Sequence, residues 1–429
     1  MKKLDIRIIN KLINENNFKL INENNFKLLN NSSNDKVEII MNINKLDNYE
    51  IISLILKIKN VLNIYDKISK INIIFDIDQK NDINKILTKL NDILYKYYHK
   101  TEKIKIYNAS NNSINLMNEL FIYKDIAMDP NKTPDTYLKY ILSRIPKYYK
   151  YKLYNINKNP DLFPLTRAVG LGSNYNSYFI HIYPKKIINN KKTIYLIGKS
   201  ITYDTGGLNL KSRGMEEMKI DMIGSGILIS LINLINSNST NNIHLLIPIV
   251  ENMISPNAIK PGSVVKAYNG KTIEIINTDA EGRLCIVDAL NYCQNQLKKV
   301  NDCLIIDIAT LTGNAEQISS NMSSICTSND LGYQYITKLI TSGELIGEYV
   351  DYLKIRKDYI KILSSEVADI KSININNKAD CILAGVFLNY FVDEKIPWIH
   401  IDLGSCVFIN ERVQSYGINL LYDFLNNIK

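Results

Sequence analysis

At 429 residues the chain is too long for one hydrophobic core, and two domains are expected. Its 46% hydrophobic and 22% charged residues exclude a disordered chain. The formal charge of +9 comes from lysines spread along the chain without arginine-rich blocks, which reads as a solvated surface and argues against nucleic acid as a partner.

The start, Met-Lys-Lys-Leu-Asp-Ile-Arg, turns polar at once and offers no signal-peptide core. No run of about 18 apolar residues follows it, so no membrane-spanning helix is expected and a cytoplasmic location is. Ile13 to Leu20 and Ile21 to Leu28 spell the same eight residues. Two such copies are too few for a solenoid, and the expectation is a local duplication in a tolerant surface region. Residues 36–44 and 71–77 read as strands, with a helix over 50–68 between them. A second helix shows in the spacing of Ile83, Ile86, Leu87, Leu90, Ile93, Leu94 and Tyr97, with Asn81 or Asp82 to cap it. This alternation predicts a small N-terminal α/β domain, residues 1–122.

The run Pro130-Asn131-Lys132-Thr133-Pro134-Asp135 marks a boundary. Thr133 suits a helix N-cap and Pro134 the first helical position. A helix to about Ser143, within a linker region 123–150, is expected to join a larger α/β domain over 151–429. There Gly170-Leu171-Gly172-Ser173 reads as a turn before a strand from Tyr178 to Tyr183, and further buried strands are expected at 193–199, 244–250, 303–308 and 397–402. Helices are expected at about 216–236 and 284–298. The six cysteines form no Cys-x-x-Cys pair and mostly sit in apolar runs, as buried reduced thiols do. Four histidines are few for a histidine-based zinc site.

Two stretches carry chemistry. In Asn277-Thr278-Asp279-Ala280-Glu281-Gly282-Arg283-Leu284, two carboxylates and a guanidinium alternate. If the segment is extended, all three side chains point the same way. Two facing anions repel unless a cation lies between them; a metal would resolve that, and Arg283 would hold an anionic base or a developing oxyanion. Alone, such a word reads as a polar loop with a surface salt bridge. The second stretch, Gly198-Lys199-Ser200-Ile201-Thr202-Tyr203-Asp204-Thr205-Gly206-Gly207-Leu208-Asn209-Leu210-Lys211, follows the apolar run from Thr193 to Ile197, and Asp221 lies ten residues beyond Lys211.

On these residues the chain resembles the leucyl aminopeptidase family (cytosol aminopeptidases, the M17 metallopeptidases). The word Asn-Thr-Asp-Ala-Glu-Gly-Arg-Leu is that family's signature, and the frame Lys-x4-Asp-x-Gly-Gly-x3-Lys is also intact. The resemblance implies an α/β catalytic domain with a mixed central sheet and an enzyme that removes N-terminal residues, Leu or other apolar ones, from peptides. It implies two divalent ions, Zn²⁺ or Mn²⁺ with Mg²⁺ also open, held by Lys199, Asp204, Asp221, Asp279 and Glu281. Asp204 and Glu281 would bridge the ions, and Lys199 would bind as a neutral amine. Two close metals sharing a water would lower its pKa and polarise the scissile carbonyl. Lys211 would stabilise the oxyanion. Arg283 would hold a bicarbonate acting as general base. A free substrate amine would reach one metal and Asp221. Thr310, Leu311 and Gly313, in Ala309-Thr310-Leu311-Thr312-Gly313, would line the substrate pocket. Met218 matches a pocket position and fits a core methionine equally well. A homohexamer is the implied assembly.

Several words depart from the family pattern. Ser200 replaces a usual Gly after the metal lysine, Ile223 interrupts a usual Gly-Gly after Asp221, and one residue is missing between Lys211 and Asp221. The stretch Asn376 to Gly385 lacks its glycine-rich character, and His400-Ile401-Asp402-Leu403-Gly404-Ser405 differs from the usual ending. These bear on substrate preference and assembly. The rival readings are a relative that mainly binds DNA or regulates as a hexamer, and a two-metal phosphate hydrolase. The first predicts loss of a metal carboxylate and the second a glycine-rich phosphate loop; neither appears.

Overall fold

The computed structural model describes residues 2–9, 20–23, 26–31, 36–42, 58, 68–76, 80–98, 103–235, 241–297, 303–376 and 379–428. The chain divides into two compact units, Met1–Ile122 and Tyr123–Lys429. Both mix helices with a sheet, as the alternating pattern predicts.

The first unit is built on a six-stranded sheet in the order Leu20–Glu23, Phe26–Asn31, Lys36–Asn42, Lys2–Ile9, Ile68–Asp76, Lys103–Tyr107. Its middle strands are parallel and its Leu20–Asn42 side is antiparallel. Ile21 pairs with Leu28, so the two ends of the second copy of the duplicated octapeptide face each other across an antiparallel strand pair. The first copy, apart from Leu20, lies outside the described residues, as does the helix expected over 50–68, apart from position 58. The helix Lys80–Tyr98 buries Ile83, Ile86, Leu87, Leu90 and Leu94, the apolar stripe read from the spacing.

In the second unit, the helix Pro134–Arg144 starts at the expected cap. Thr136 N donates to Thr133 Oγ1 at 3.2 Å, and Pro134 takes the first position, where no N–H is needed. The central sheet has nine strands. Thr193–Gly198, Asn242–Asn252, Cys303–Ala309 and Trp398–Asp402 lie parallel at its centre. Ser323–Ser328 and Tyr178–Pro184 flank them antiparallel, with Tyr149–Asn155 beyond Tyr178–Pro184, so the sheet is mixed. Ile194, Tyr195, Leu196 and Ile197 are all buried, which means both faces of the sheet are covered and explains the unbroken apolar run. One core joins this sheet to the helices Pro164–Gly170, Glu281–Gln296 and Asp380–Asn389. Phe163 stacks on Phe179 within it at 4.2 Å between ring centroids. Full burial of each such side chain contributes about 1.5–3 kcal/mol.

Two expectations need correction. The helix expected over 216–236 is a 3-10 turn, Met215–Ile220, followed by a separate α-helix, Ile223–Leu234. The break falls at Asp221, whose carbonyl accepts Ile201 N at 3.2 Å instead of continuing a helix. The signature word is not extended either: Glu281 opens the helix Glu281–Gln296. Residues two apart on a helix point about 200° apart, so Glu281 and Arg283 do not share a face. All six cysteines are buried and free, and among the described residues no helix is long and apolar enough to cross a membrane.

Candidate metal centre

The parallel strands deliver the site at their C-terminal ends, as open α/β sheets do. Lys199 follows Thr193–Gly198, Asn252 ends Asn242–Asn252, Thr310 follows Cys303–Ala309, and Asp402 ends Trp398–Asp402. Asp204 ends the short strand Ser200–Asp204, which pairs with Asn242–Asn252. Backbone bonds tie Lys199 in place: its N–H donates to Ile308 O and its carbonyl accepts Ser225 N, each at 3.0 Å.

The loop after Asp204 is latched to the signature word. Asn209 N donates to Thr278 Oγ1 and Thr278 N to Asn209 Oδ1, both at 2.8 Å, and Thr278 Oγ1 donates to Gly206 O at 2.6 Å. Gly206 and Gly207 have φ of +85° and +63°, a region costly for side-chain-bearing residues. A Cβ at Gly206 would also stand 2.9 Å from Asp279 Oδ1, so the glycine pair lets the loop pass against the carboxylate.

Four carboxylates and two lysines converge on this frame. Lys199 Nζ lies 2.8 Å from Asp221 Oδ1, 2.9 Å from Glu281 Oε1 and 2.9 Å from Thr310 O. Lys211 Nζ lies 2.7 Å from Asp204 Oδ2 and 2.5 Å from Asp279 Oδ1. Asn252 Nδ2 and Gly206 N donate to Asp204 Oδ1 at 2.8 and 2.9 Å. Thr310 Oγ1 donates to Asp221 Oδ1 at 2.7 Å. Lys199, Asp204, Asp221 and Glu281 are all buried. Each metal-ligand candidate read from the sequence is in this cluster.

The charges are strained in the direction that invites cations. Burial, then the neighbouring Glu281 and Asp221, push the Asp204 carboxyl well above its usual range. Burial raises Asp221 to about 6 against the pull of Lys199, and burial with Glu281 raises Asp279. Burial opposes the charge on Glu281 too, but Lys199 and Lys211 outweigh it and hold that carboxyl low. Burial alone would lower both lysines; Asp221, Glu281 and Asp204 around Lys199, and Asp204, Glu281 and Asp279 around Lys211, hold them raised instead.

This donor set fits divalent metal. Asp204, Asp221 and Glu281 each bring a carboxylate oxygen within 4.8 Å of the others. Asp221 Oδ2 and Glu281 Oε2 are buried without a hydrogen-bond partner among the described residues, as suits oxygens that ligate a metal. Four carboxylates face two ammoniums, and burial with mutual repulsion favours protonation of Asp204, Asp221 and Asp279, a cost that a bound cation would relieve. Hard oxygens suit Zn²⁺, Mn²⁺ or Mg²⁺, and no histidine joins the cluster among the described residues.

The cluster lines a cavity of about 750 Å³ that Met218, Thr310, Leu311 and Gly313 also line, so the expected pocket residues share one space with the carboxylates. Asp402 sets the Thr310–Gly313 loop, accepting Leu311 N at 3.2 Å and Thr312 Oγ1 at 2.6 Å. Arg283 is 1% exposed. Its Nη1 donates to Ser372 O at 3.0 Å, and its Nη2 lies 3.2 Å from both Asp380 oxygens. Asn252, Thr278, Asp380 and Asp402 are roles the sequence reading missed. A polar residue closing an apolar strand was the available signal for Asn252 and Asp402. Asp380 gave none.

The profile of the cytosol aminopeptidase family, catalytic domain, matches residues 130–421. A probable cytosol aminopeptidase of Protochlamydia amoebophila is 36% identical over 274 residues, 62% of this chain and 54% of that protein. One from Prochlorococcus marinus is 35% identical over 318 residues, 70% of this chain and 63% of that protein. The cytosol aminopeptidase of Rickettsia prowazekii is 31% identical over 325 residues, 71% of this chain and 63% of that protein. These matches span less than two thirds of the relatives' length. With the signature carboxylates gathered in one cluster and the matched region holding all of them, the chain belongs to the cytosol aminopeptidase family.

Proposed function

We propose that this chain is a two-metal aminopeptidase that hydrolyses the first residue from peptides, Leu and other apolar residues foremost. One observation carries the reading: four carboxylates, two of them with unpartnered buried oxygens, converge with two lysines on a cavity large enough for a peptide end. Lys199, Asp204, Asp221, Asp279 and Glu281 would hold the ions, Lys199 once its ammonium, kept protonated by Asp221 and Glu281 around it, gives up its proton on binding an ion. When bound, the ions would supply Lewis acidity toward the scissile carbonyl and an activated water.

The chain's own residues do the rest. Lys211, held charged by the carboxylates around it, is the fixed cation for the developing oxyanion. Asp221 receives the free amine of the substrate, which restricts cleavage to the N-terminus. Met218, Thr310, Leu311 and Gly313 shape the pocket for the first side chain. Asn252 and Thr278 keep Asp204 and its loop in register, so that the carboxylates need not reorganise as charge develops. A homohexamer, as the family resemblance implies, and a cytosolic location, as the relatives' names say of them, complete the proposal. The intact carboxylate set supports the hydrolase over a relative that only binds DNA.

The test is release of N-terminal residues from a peptide panel with Zn²⁺, Mn²⁺ or chelator added. The reading expects release from peptides with a free amine, none from N-acetylated ones, and loss with chelator. Hydrolysis that survives chelation, or that ignores acetylation, would sink it.

A further inference from the structure

The resemblance calls for a dissolved bicarbonate on Arg283. The residues around this guanidinium do not fit one. Arg283 Nη1 donates to the Ser372 carbonyl, and Nη2 is straddled by both oxygens of Asp380. Ser372 is itself fixed, its N–H donating to Glu274 O at 2.9 Å and its Oγ accepting Ile276 N at 3.1 Å. Among the described residues, Nε is the guanidinium nitrogen without a partner. A buried guanidinium needs an anion beside it. Among the described residues, Asp380 is the carboxylate within ion-pair distance of Arg283.

Asp380 is placed for more than charge balance. It opens the helix Asp380–Asn389, its side chain is 19% exposed while that of Arg283 is 2% exposed, and both line the cavity that holds the carboxylate cluster. The carboxylate is therefore paired to a buried cation and also part of the wall of the space where peptide and water would meet. It lies in the stretch Asn376 to Gly385 that departs from the family's glycine-rich pattern, where a residue without a side chain would leave this edge of Arg283 open.

We infer that Asp380 is the resident anion of Arg283, so that the proton acceptor of the reaction is carried by the chain and bicarbonate is not drawn from solution. The inference rests on the aminopeptidase reading above. As the oxygen of the attacking water bonds to the scissile carbonyl carbon, one of its protons passes to an Asp380 oxygen. As the C–N bond breaks, that proton passes on to the departing amine nitrogen. Asp380 returns to its starting form, and no co-reactant other than water is consumed. Arg283, inside the helix that Glu281 opens, positions the carboxylate.

The test compares wild type, Asp380→Gly and Asp380→Asn, metal-loaded, in buffer purged of carbon dioxide and with bicarbonate restored. A second readout, binding of ¹³C-labelled bicarbonate followed by NMR, does not depend on turnover. Wild type should be equally active in both buffers and should not bind the label. Asp380→Gly should lose on the order of 10²–10⁴-fold in turnover without bicarbonate, recover most of it when bicarbonate is added, and bind the label. Asp380→Asn keeps the shape of the side chain, so it should fold, stay slow and not be rescued; it also decides the matter if the glycine variant does not fold. Stimulation of wild type by bicarbonate would overturn the inference, as would label binding by wild type as tight as by Asp380→Gly, or a glycine variant faster than wild type. If no protein hydrolyses any peptide, the aminopeptidase reading fails, and the labelled-bicarbonate comparison still decides which anion Arg283 holds.

Discussion

The side chain of Lys199 lies across the α-carbon of Gly282, so closely that a methyl group there would stand 2.7 Å from Nζ. The glycine of the signature word is thus the floor over which the lysine reaches Asp221 and Glu281. Replacing it separates two properties that mutations usually confound. Gly282→Ala lies in the helix Glu281–Gln296, where alanine is intrinsically favoured by about 1 kcal/mol, so the fold should survive. The displaced amine should still cost on the order of 100-fold in turnover, because a shift of about 1 Å at a reacting centre costs that much. Circular dichroism and leucyl-anilide hydrolysis measure the two halves. Full turnover in a folded variant would mean that the amine's position is immaterial.

Metal and oxyanion roles should come apart in the same assay. Added Zn²⁺ or Mn²⁺ should raise the melting temperature of wild type, since a ligand at about 100 times its Kd stabilises by about 2.7 kcal/mol. Glu281→Ala removes a metal-ligand candidate and should lose both the thermal shift and hydrolysis. Lys211→Ala should keep the shift and lose turnover by about 10²–10³-fold, the scale of one oxyanion donor. Loss of the shift in Lys211→Ala would assign that lysine to holding the ions instead.

Much of this was legible in the sequence because the chemistry is local. Lys199, Asp204, Asp279 and Glu281 sit in two short words at strand ends and a helix start, and apolar runs announced the strands that carry them. What failed was backbone direction within those words. The spacing of Asp279, Glu281 and Arg283 suits a strand as well as a helix start, and only the packing of Leu284, Cys285 and Val287 into the core selects the helix. The break at Asp221 is set by a hydrogen bond to Ile201, a partner that helical periodicity cannot reveal. Asp380 pairs with Arg283 from 97 positions away, across a fold that no local pattern encodes.

The buried histidine pair should govern acid stability. His181 Nε2 lies 2.9 Å from His244 Nδ1. Burial, then His244 and Lys152, lowers His181 to about 3, and burial lowers His244 to about 4. Between about pH 4 and the ordinary value of 6.5, the unfolded chain binds protons at these rings and the folded chain does not. Stability therefore rises with pH across this window, by about 1.4 kcal/mol per unit for each imidazole. Urea midpoints of the double variant His181→Gln, His244→Gln should fall less than those of wild type between pH 7 and pH 5. Equal losses in the two proteins would show that the rings titrate normally.

Asp288 should act in the opposite sense. Its Oδ2 accepts Thr166 N at 2.7 Å, but Oδ1 has no partner among the described residues and the side chain is fully buried. Burial raises its carboxyl from 3.8 to about 7, with the bonds from Thr166 and Leu165 pulling back only in part. The folded chain keeps this proton where the unfolded chain has lost it, so the stability it contributes is complete below pH 3.8 and disappears as pH rises through about 7. Over that window the change is on the order of 4 kcal/mol. Asp288→Asn retains an acceptor for Thr166 N and removes the titration. It should gain on wild type as pH rises from 5 to 8, read as a widening difference in urea midpoint. A difference that stays constant with pH would mean that Asp288 is ionised in the folded protein throughout, and that Thr166 alone compensates for its burial.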